Sequence, residues 1–122
     1  MFKCFEIEDG RKNTYINLSR IMMAKDTHVG DDTGTLLYLS DDSRMMVEQT
    51  IGEVETELHK AHIPVIRLTH VNGDNLLISA SEIIEFHRQG GETVVCINDM
   101  AHIQVKEMPE IIYNRLSLLT RL

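Results

Sequence analysis

Thr35-Leu36-Leu37-Tyr38-Leu39 is a short apolar run that ends in the polar turn Ser40-Asp41-Asp42. The same pattern returns later as Thr93-Val94-Val95-Cys96-Ile97 followed by Asn98-Asp99. Each run follows a Gly-containing loop and is apolar or β-branched, which reads as a strand bounded by turns. A second strand follows each turn, Arg44 to Glu48 and His102 to Lys106. A helical stretch comes next. Val54 and Leu58 in the first copy correspond to Ile112 and Leu116 in the second, and from Thr35 to Leu58 the match needs no gap. Self-similarity of this kind decides the fold, because each copy is one supersecondary unit.

The front halves align as well. Asp9-Gly10 pairs with Asn72-Gly73, and both read as hairpin turns because glycine tolerates positive φ. Ile16, Ile21 and Met22 pair with Ile78, Ile83 and Ile84. The first copy has the longer stretch Thr27 to Gly34, expected as a surface loop, where the second has Gln89-Gly90-Gly91-Glu92. Each unit then reads strand, tight turn, strand, short bridge, strand, turn, strand, helix. The first helix is expected to start at Thr50, an N-cap with Glu53 three residues on, and to run to about His62 before Pro64. The second is expected to start near Pro109 and run almost to Leu122, with Ile111, Ile112, Leu116, Leu119 and Leu122 largely on one face.

The expected fold class is therefore α+β: two tandem small antiparallel β units, 1–62 and 63–122, each followed by a C-terminal helix and packed as one body. A unit of this size buries little surface alone, and small sheets have edges that invite pairing. A homo-oligomer is expected, with the Leu116, Leu118, Leu119 and Leu122 side of the last helix in the contact.

Composition narrows the function. The net charge of −7 argues against non-specific nucleic-acid binding, which needs a basic face. No apolar run approaches the roughly 20 residues that span a bilayer, and Lys3 and Glu6 interrupt the start where a signal peptide is apolar. A cytoplasmic protein without a membrane partner is expected. Cys4 and Cys96 lie in strand-like contexts and read as buried free thiols.

The second copy, Arg67-Leu68-Thr69-His70-Val71-Asn72-Gly73, then Leu76-Leu77-Ile78, Ile83-Ile84-Glu85-Phe86, Thr93-Val94-Val95-Cys96-Ile97 and Val105-Lys106-Glu107, resembles the FlbD-type family of flagellar and swarming motility proteins. That family has an LTxxNG start, a central I-x-x-I bridge, a TVIxL strand and a V-x-E-S entry into a final helix. The first copy echoes it in Tyr15-Ile16-Asn17-Leu18 and Val47-Glu48-Gln49-Thr50. The chain departs from it in having two units, in Asp42 and Met100 where the family has a turn glycine, and in Pro109 where it has an apolar helix residue. The resemblance implies a regulator that acts by protein interaction. In size, acidity and general architecture the chain is also similar to phage proteins that defeat Thoeris immunity by sequestering a cyclic ADP-ribose derivative. That likeness implies a sponge, and its ligand is expected between protomers because one thin unit offers little concavity.

Catalytic signals are absent: there is no GxSxG elbow, Walker loop or GxGxxG, so neither an enzyme nor a cofactor is expected. His59 and His62 share a helix face but lack further ligands, and Asp31-Asp32 and Asp41-Asp42 read as solvated turns, so no metal is expected. Gly90-Gly91 reads as a turn. The best polar and aromatic set is Phe86, Arg88, Asn98 and Arg115. An aromatic plate, cations and an amide suit a small anionic nucleotide-like ligand. The competing reading has Phe86 in the core and both arginines solvated.

Overall fold

The computed structural model describes residues 1–7, 13–29, 32–97 and 101–119. The chain runs β1 (Phe2–Phe5), β2 (Thr14–Asn17), a 3-10 turn (Leu18–Arg20), β3 (Ile21–Val29), β4 (Asp32–Leu39), β5 (Arg44–Val47) and α1 (Ile51–Lys60). It continues through β6 (Val65–Thr69), β7 (Asn75–Ser79), a second 3-10 turn (Ala80–Glu82), β8 (Ile83–Gln89), β9 (Glu92–Ile97), β10 (Ala101–Val105) and α2 (Pro109–Leu119). All the strand pairs are antiparallel, which makes the class α+β.

The strands form a five-stranded sheet in the order β5-β4-β3-β7-β6, a three-stranded sheet β10-β9-β8, and the hairpin β1-β2. Side chains alternate across a strand, so the five-stranded sheet has an apolar residue on either face. Ala24, Leu37, Val47 and Leu77 join Phe5, Val54 and Leu58 in a first core under α1. Met23, Ile66, Leu76 and Ile78 join Val95, Ile97 and Ile112 in a second core against β9 and α2. The five-stranded sheet thus separates two cores, and strand β7 contributes to both.

The pairing Met23↔Ile78 and Ala24↔Leu77 seats the β6–β7 hairpin on β3. A bridge between His70 and Val105, with the Lys106 N–H donating to the Thr69 carbonyl at 2.8 Å, ties β10 to the end of that hairpin. The Glu107 carboxylate closes the corner by accepting from the Thr69 N–H and hydroxyl, both at 2.9 Å. Near the start of α1 a matching set occurs. Ile7 bridges Val47, the Glu48 N–H donates to the Glu6 carbonyl at 2.9 Å, and the Gln49 side-chain carbonyl accepts from the Glu6 N–H at 3.3 Å.

Local chemistry sets the ends of the elements. Thr50 caps α1 with a reciprocal capping box to Glu53. The helix stops at Lys60, short of His62, which takes a left-handed φ of 58° beyond the cap. Gly73, at φ 100°, turns the β6–β7 hairpin, and Gly90 and Gly91, at 60° and 88°, turn β8 into β9. No helix of the described chain is long and apolar enough to cross a membrane.

Four expectations need correction. The I-x-x-I bridges are the first residues of full strands, β3 and β8, each entered through a 3-10 turn and a register irregularity, Ile21/Met23 and Ile83/Glu85. Polar residues that follow within these strands, Lys25 and Asp26 in β3 and Glu85 and His87 in β8, hide them from an apolar-run search. The Thr27–Gly34 stretch extends the β3–β4 hairpin, with Thr27 paired to Gly34 and Val29 to Asp32, because its β-branched residues favour an extended chain. Cys4 is half-buried, whereas Cys96 is buried, and both are free thiols. Along α2, Ile112 is buried, but Ile111, Tyr113 and Leu118 are exposed, so its apolar residues do not share one face. Asp9-Gly10, Asp31, Asn98-Asp99, Met100 and Leu122 lie outside the described residues.

Candidate functional site

A cleft of about 870 Å³ opens between the two larger sheets. Met23, Lys25, Tyr38, Arg44 and Leu76 wall it from the five-stranded sheet, and Gln89, Val94, His102 and Gln104 from the three-stranded one. Strand register explains the first wall. Met23 stands opposite Tyr38, Tyr38 opposite Arg44, and Lys25 lies two residues along from Met23 on the same face. The second wall follows likewise, since His102 and Gln104 alternate along β10 opposite Cys96 and Val94.

The polar groups of the cleft are held in place. The Arg44 guanidinium carbon lies 5.1 Å from the Tyr38 ring centroid, a cation–π contact. Among the described residues no carboxylate forms an ion pair with Arg44. Lys25 Nζ sits 3.4 Å from Asp74 Oδ2. His70 Nδ1 accepts the Asn72 N–H at 3.1 Å. Two cations, an aromatic face, two imidazoles and the Gln104 amide can pair with an anion, stack on a planar group and hydrogen-bond its edge. The volume lies within the usual range for small-ligand pockets.

Beside the cleft, Glu85, His87 and Cys96 form a compact cluster. Glu85 stands opposite Cys96 across β8 and β9, with His87 two residues along the same strand. The Cys96 thiol donates to Glu85 Oε1 at 2.8 Å, and His87 Nδ1 lies 2.8 Å from Glu85 Oε2. The hydrogen bonds from Cys96 and then His87 hold the Glu85 carboxyl below its ordinary range. The hydrogen bonds to Glu85 and then Gln89 raise His87, and the Glu85 bond with burial raises the Cys96 thiol.

A smaller cavity of about 410 Å³ holds Glu55, His59, Arg67, Thr69, Glu107 and Arg115. Its charges are engaged in the fold. Arg67 Nη2 pairs with Glu55 at 3.0 Å, and Arg115 donates to the Arg67 carbonyl and lies 3.4 Å from Glu107.

The residues expected from sequence to bind a ligand fall as follows. Phe86 and Arg88 share one face of β8; Phe86 packs against the second core, and Arg88 donates to the buried Thr93 hydroxyl at 3.3 Å. Neither lines the two cavities described above. Arg115 lines the smaller one, and Asn98 lies outside the described residues. Lys25, Tyr38 and Arg44 escaped the sequence reading because only strand pairing brings them together. A signal for one pair was present: Tyr38 and Arg44 flank the Ser40–Asp42 turn at hairpin spacing.

No protein-family model, curated protein or solved structure matches this chain.

Proposed function

We propose that the chain is a non-enzymatic sponge that holds a small anionic nucleotide-like ligand, of the cyclic nucleotide or cyclic ADP-ribose class, in the cleft between its sheets. The observation that carries this reading is Arg44 stacked on Tyr38 at a cleft that also receives Lys25. A desolvated charge-assisted contact to phosphate is worth about 1.5–3 kcal/mol. Losing Arg44 should therefore weaken binding about ten- to a hundredfold. The test is calorimetry of the chain, and of Arg44→Ala, Arg88→Ala and Arg115→Ala, against cyclic nucleotides and ADP-ribose derivatives. Binding that Arg44→Ala alone weakens supports the cleft. Binding weakened only by Arg88→Ala or Arg115→Ala moves the ligand to the residues first named from sequence. Absence of binding across the panel removes the sponge reading.

The reading includes a duplicated architecture, 1–62 and 63–122 as two copies of one FlbD-like unit. It is supported by the recurrence of the 3-10 turn, the register irregularity and the strand bridge before each helix. It also includes a cytoplasmic homo-oligomer. Ile111 and Leu118, 43% and 61% exposed and two turns apart on α2, form an apolar stripe suited to a second copy. Leu118→Glu should then lower the mass seen in light scattering.

The second reading is a protein-interaction regulator of the FlbD motility type. One observation favours it: β8 is the edge of its sheet and carries Ile84, 60% exposed. An extended peptide can add to such an edge. A proline at Ile84 that abolishes partner capture while leaving nucleotide binding intact would favour this reading over the sponge.

A further inference from the structure

We infer that Cys96, His87 and Glu85 form a binding site for one zinc-type divalent cation on the face of the three-stranded sheet that also carries Val94, His102 and Gln104. Register brings the donors together. Glu85 and Cys96 are direct cross-strand partners, and His87 is the next residue on the same face of β8. Their ligand atoms all lie within 4.8 Å of one another. Tetrahedral zinc with bonds of about 2.0–2.3 Å needs donors about 3.5 Å apart, within reach of small rotamer changes.

The chemistry of the set is selective. Thiolate, imidazole and carboxylate suit zinc, whereas magnesium and calcium prefer oxygen alone. A thiolate and a carboxylate together neutralise a dication. On binding, the metal–sulfur and metal–nitrogen bonds form as the thiol proton, and any proton on His87 Nδ1, leave to solvent. No electrons move.

A second observation points the same way. His87 Nε2 lies 3.3 Å from the Gln89 side-chain carbonyl. A metal-bound histidine typically donates its outer ring N–H to such an oxygen, which turns the other nitrogen toward the ion. The burial gradient also fits: Cys96 forms the floor at 7% exposed, while the His87 and Glu85 side chains, at 42% and 49%, leave an entry path. His102 stands opposite Cys96 on β10 and is the neighbour placed to replace water at a fourth position.

The site does not depend on the ligand proposed for the cleft. The test uses the full chain, stripped with chelator and titrated with cobalt(II), then zinc. The expected result is one equivalent of cobalt with a thiolate-to-cobalt charge-transfer band that zinc abolishes. Cys96→Ser should remove the band, and Cys4→Ser should leave it unchanged. His87→Ala and Glu85→Gln, both at half-exposed positions, should weaken zinc binding by at least about tenfold while circular dichroism is unchanged. They decide the matter if Cys96→Ser does not fold. A band that depends on Cys4, a stoichiometry other than one, or unaltered affinity in both His87→Ala and Glu85→Gln would overturn the proposal.

Discussion

Tyr38 and Arg44 stand directly opposite each other across β4 and β5, and the guanidinium carbon of Arg44 lies 5.1 Å from the Tyr38 ring centroid. Such a contact at a partly exposed site contributes about 0.5–1 kcal/mol. A double-mutant cycle of Tyr38→Leu with Arg44→Ala, read by urea unfolding, should show a coupling of that size. Tyr38→Phe keeps the aromatic face and should retain most of it. A coupling of zero would mean that Arg44 is not held over the ring in solution.

The capping box at Thr50 gives a second prediction. The Glu53 N–H donates to Thr50 Oγ1 at 3.2 Å, and the Thr50 N–H donates to Glu53 Oε1 at 3.3 Å. Thr50→Ala should cost about 1 kcal/mol of stability, measured in denaturant, and Thr50→Ser much less.

Ile112 anchors α2. It is fully buried in the second core, whereas Leu118 on the same helix is 61% exposed. Ile112→Ala leaves a cavity between sheet and helix and should cost about 2–5 kcal/mol. In the dissociated monomer, Leu118→Ala should change stability by no more than about 0.5 kcal/mol. Thermal unfolding of the two variants at low concentration separates the core role from an assembly role.

The Asp41-Asp42 turn makes a pH prediction. Asp41 accepts hydrogen bonds from the Ser43 hydroxyl and N–H and lies near Arg20, and these lower its pKa. A carboxyl whose folded pKa is depressed stabilises the fold above its unfolded pKa, and that contribution is lost as pH falls through the folded value. Ser43→Ala should raise the Asp41 pKa toward the ordinary carboxylate range in an NMR titration and flatten the acid limb of stability. Asp42 adopts a left-handed φ of 67°, where the FlbD-type pattern has glycine. Asp42→Gly should be neutral or stabilising by up to about 1 kcal/mol, and Asp42→Val destabilising by about 1–2 kcal/mol.

Local signals were legible wherever chemistry acts over a few residues. Thr50 with Glu53 marked the start of α1, Pro109 marked α2, and Asn72-Gly73 and Gly90-Gly91 marked turns. The α+β class followed from the same signals. What was not legible depends on pairing between distant strands. Nothing near Ile78 says that β7 seats on β3 opposite Met23, and that pairing joins the halves in one sheet. The cleft depends on it, because Lys25 and Tyr38 come from one side of the chain and His102 and Gln104 from the other. Phe86 illustrates the converse. Alternation along β8 turns Phe86 toward the core and His87 toward Glu85 and Cys96, which adjacency in the sequence does not reveal.

Native mass spectrometry of the chain purified from cells that make cyclic nucleotide or ADP-ribose signals, with and without Arg44→Ala, tests the central claim most directly. The account predicts an oligomer that carries a nucleotide-sized anionic adduct, lost or sharply reduced in the variant. An unmutated chain that appears bare, and stays bare when the same nucleotides are added, would contradict it.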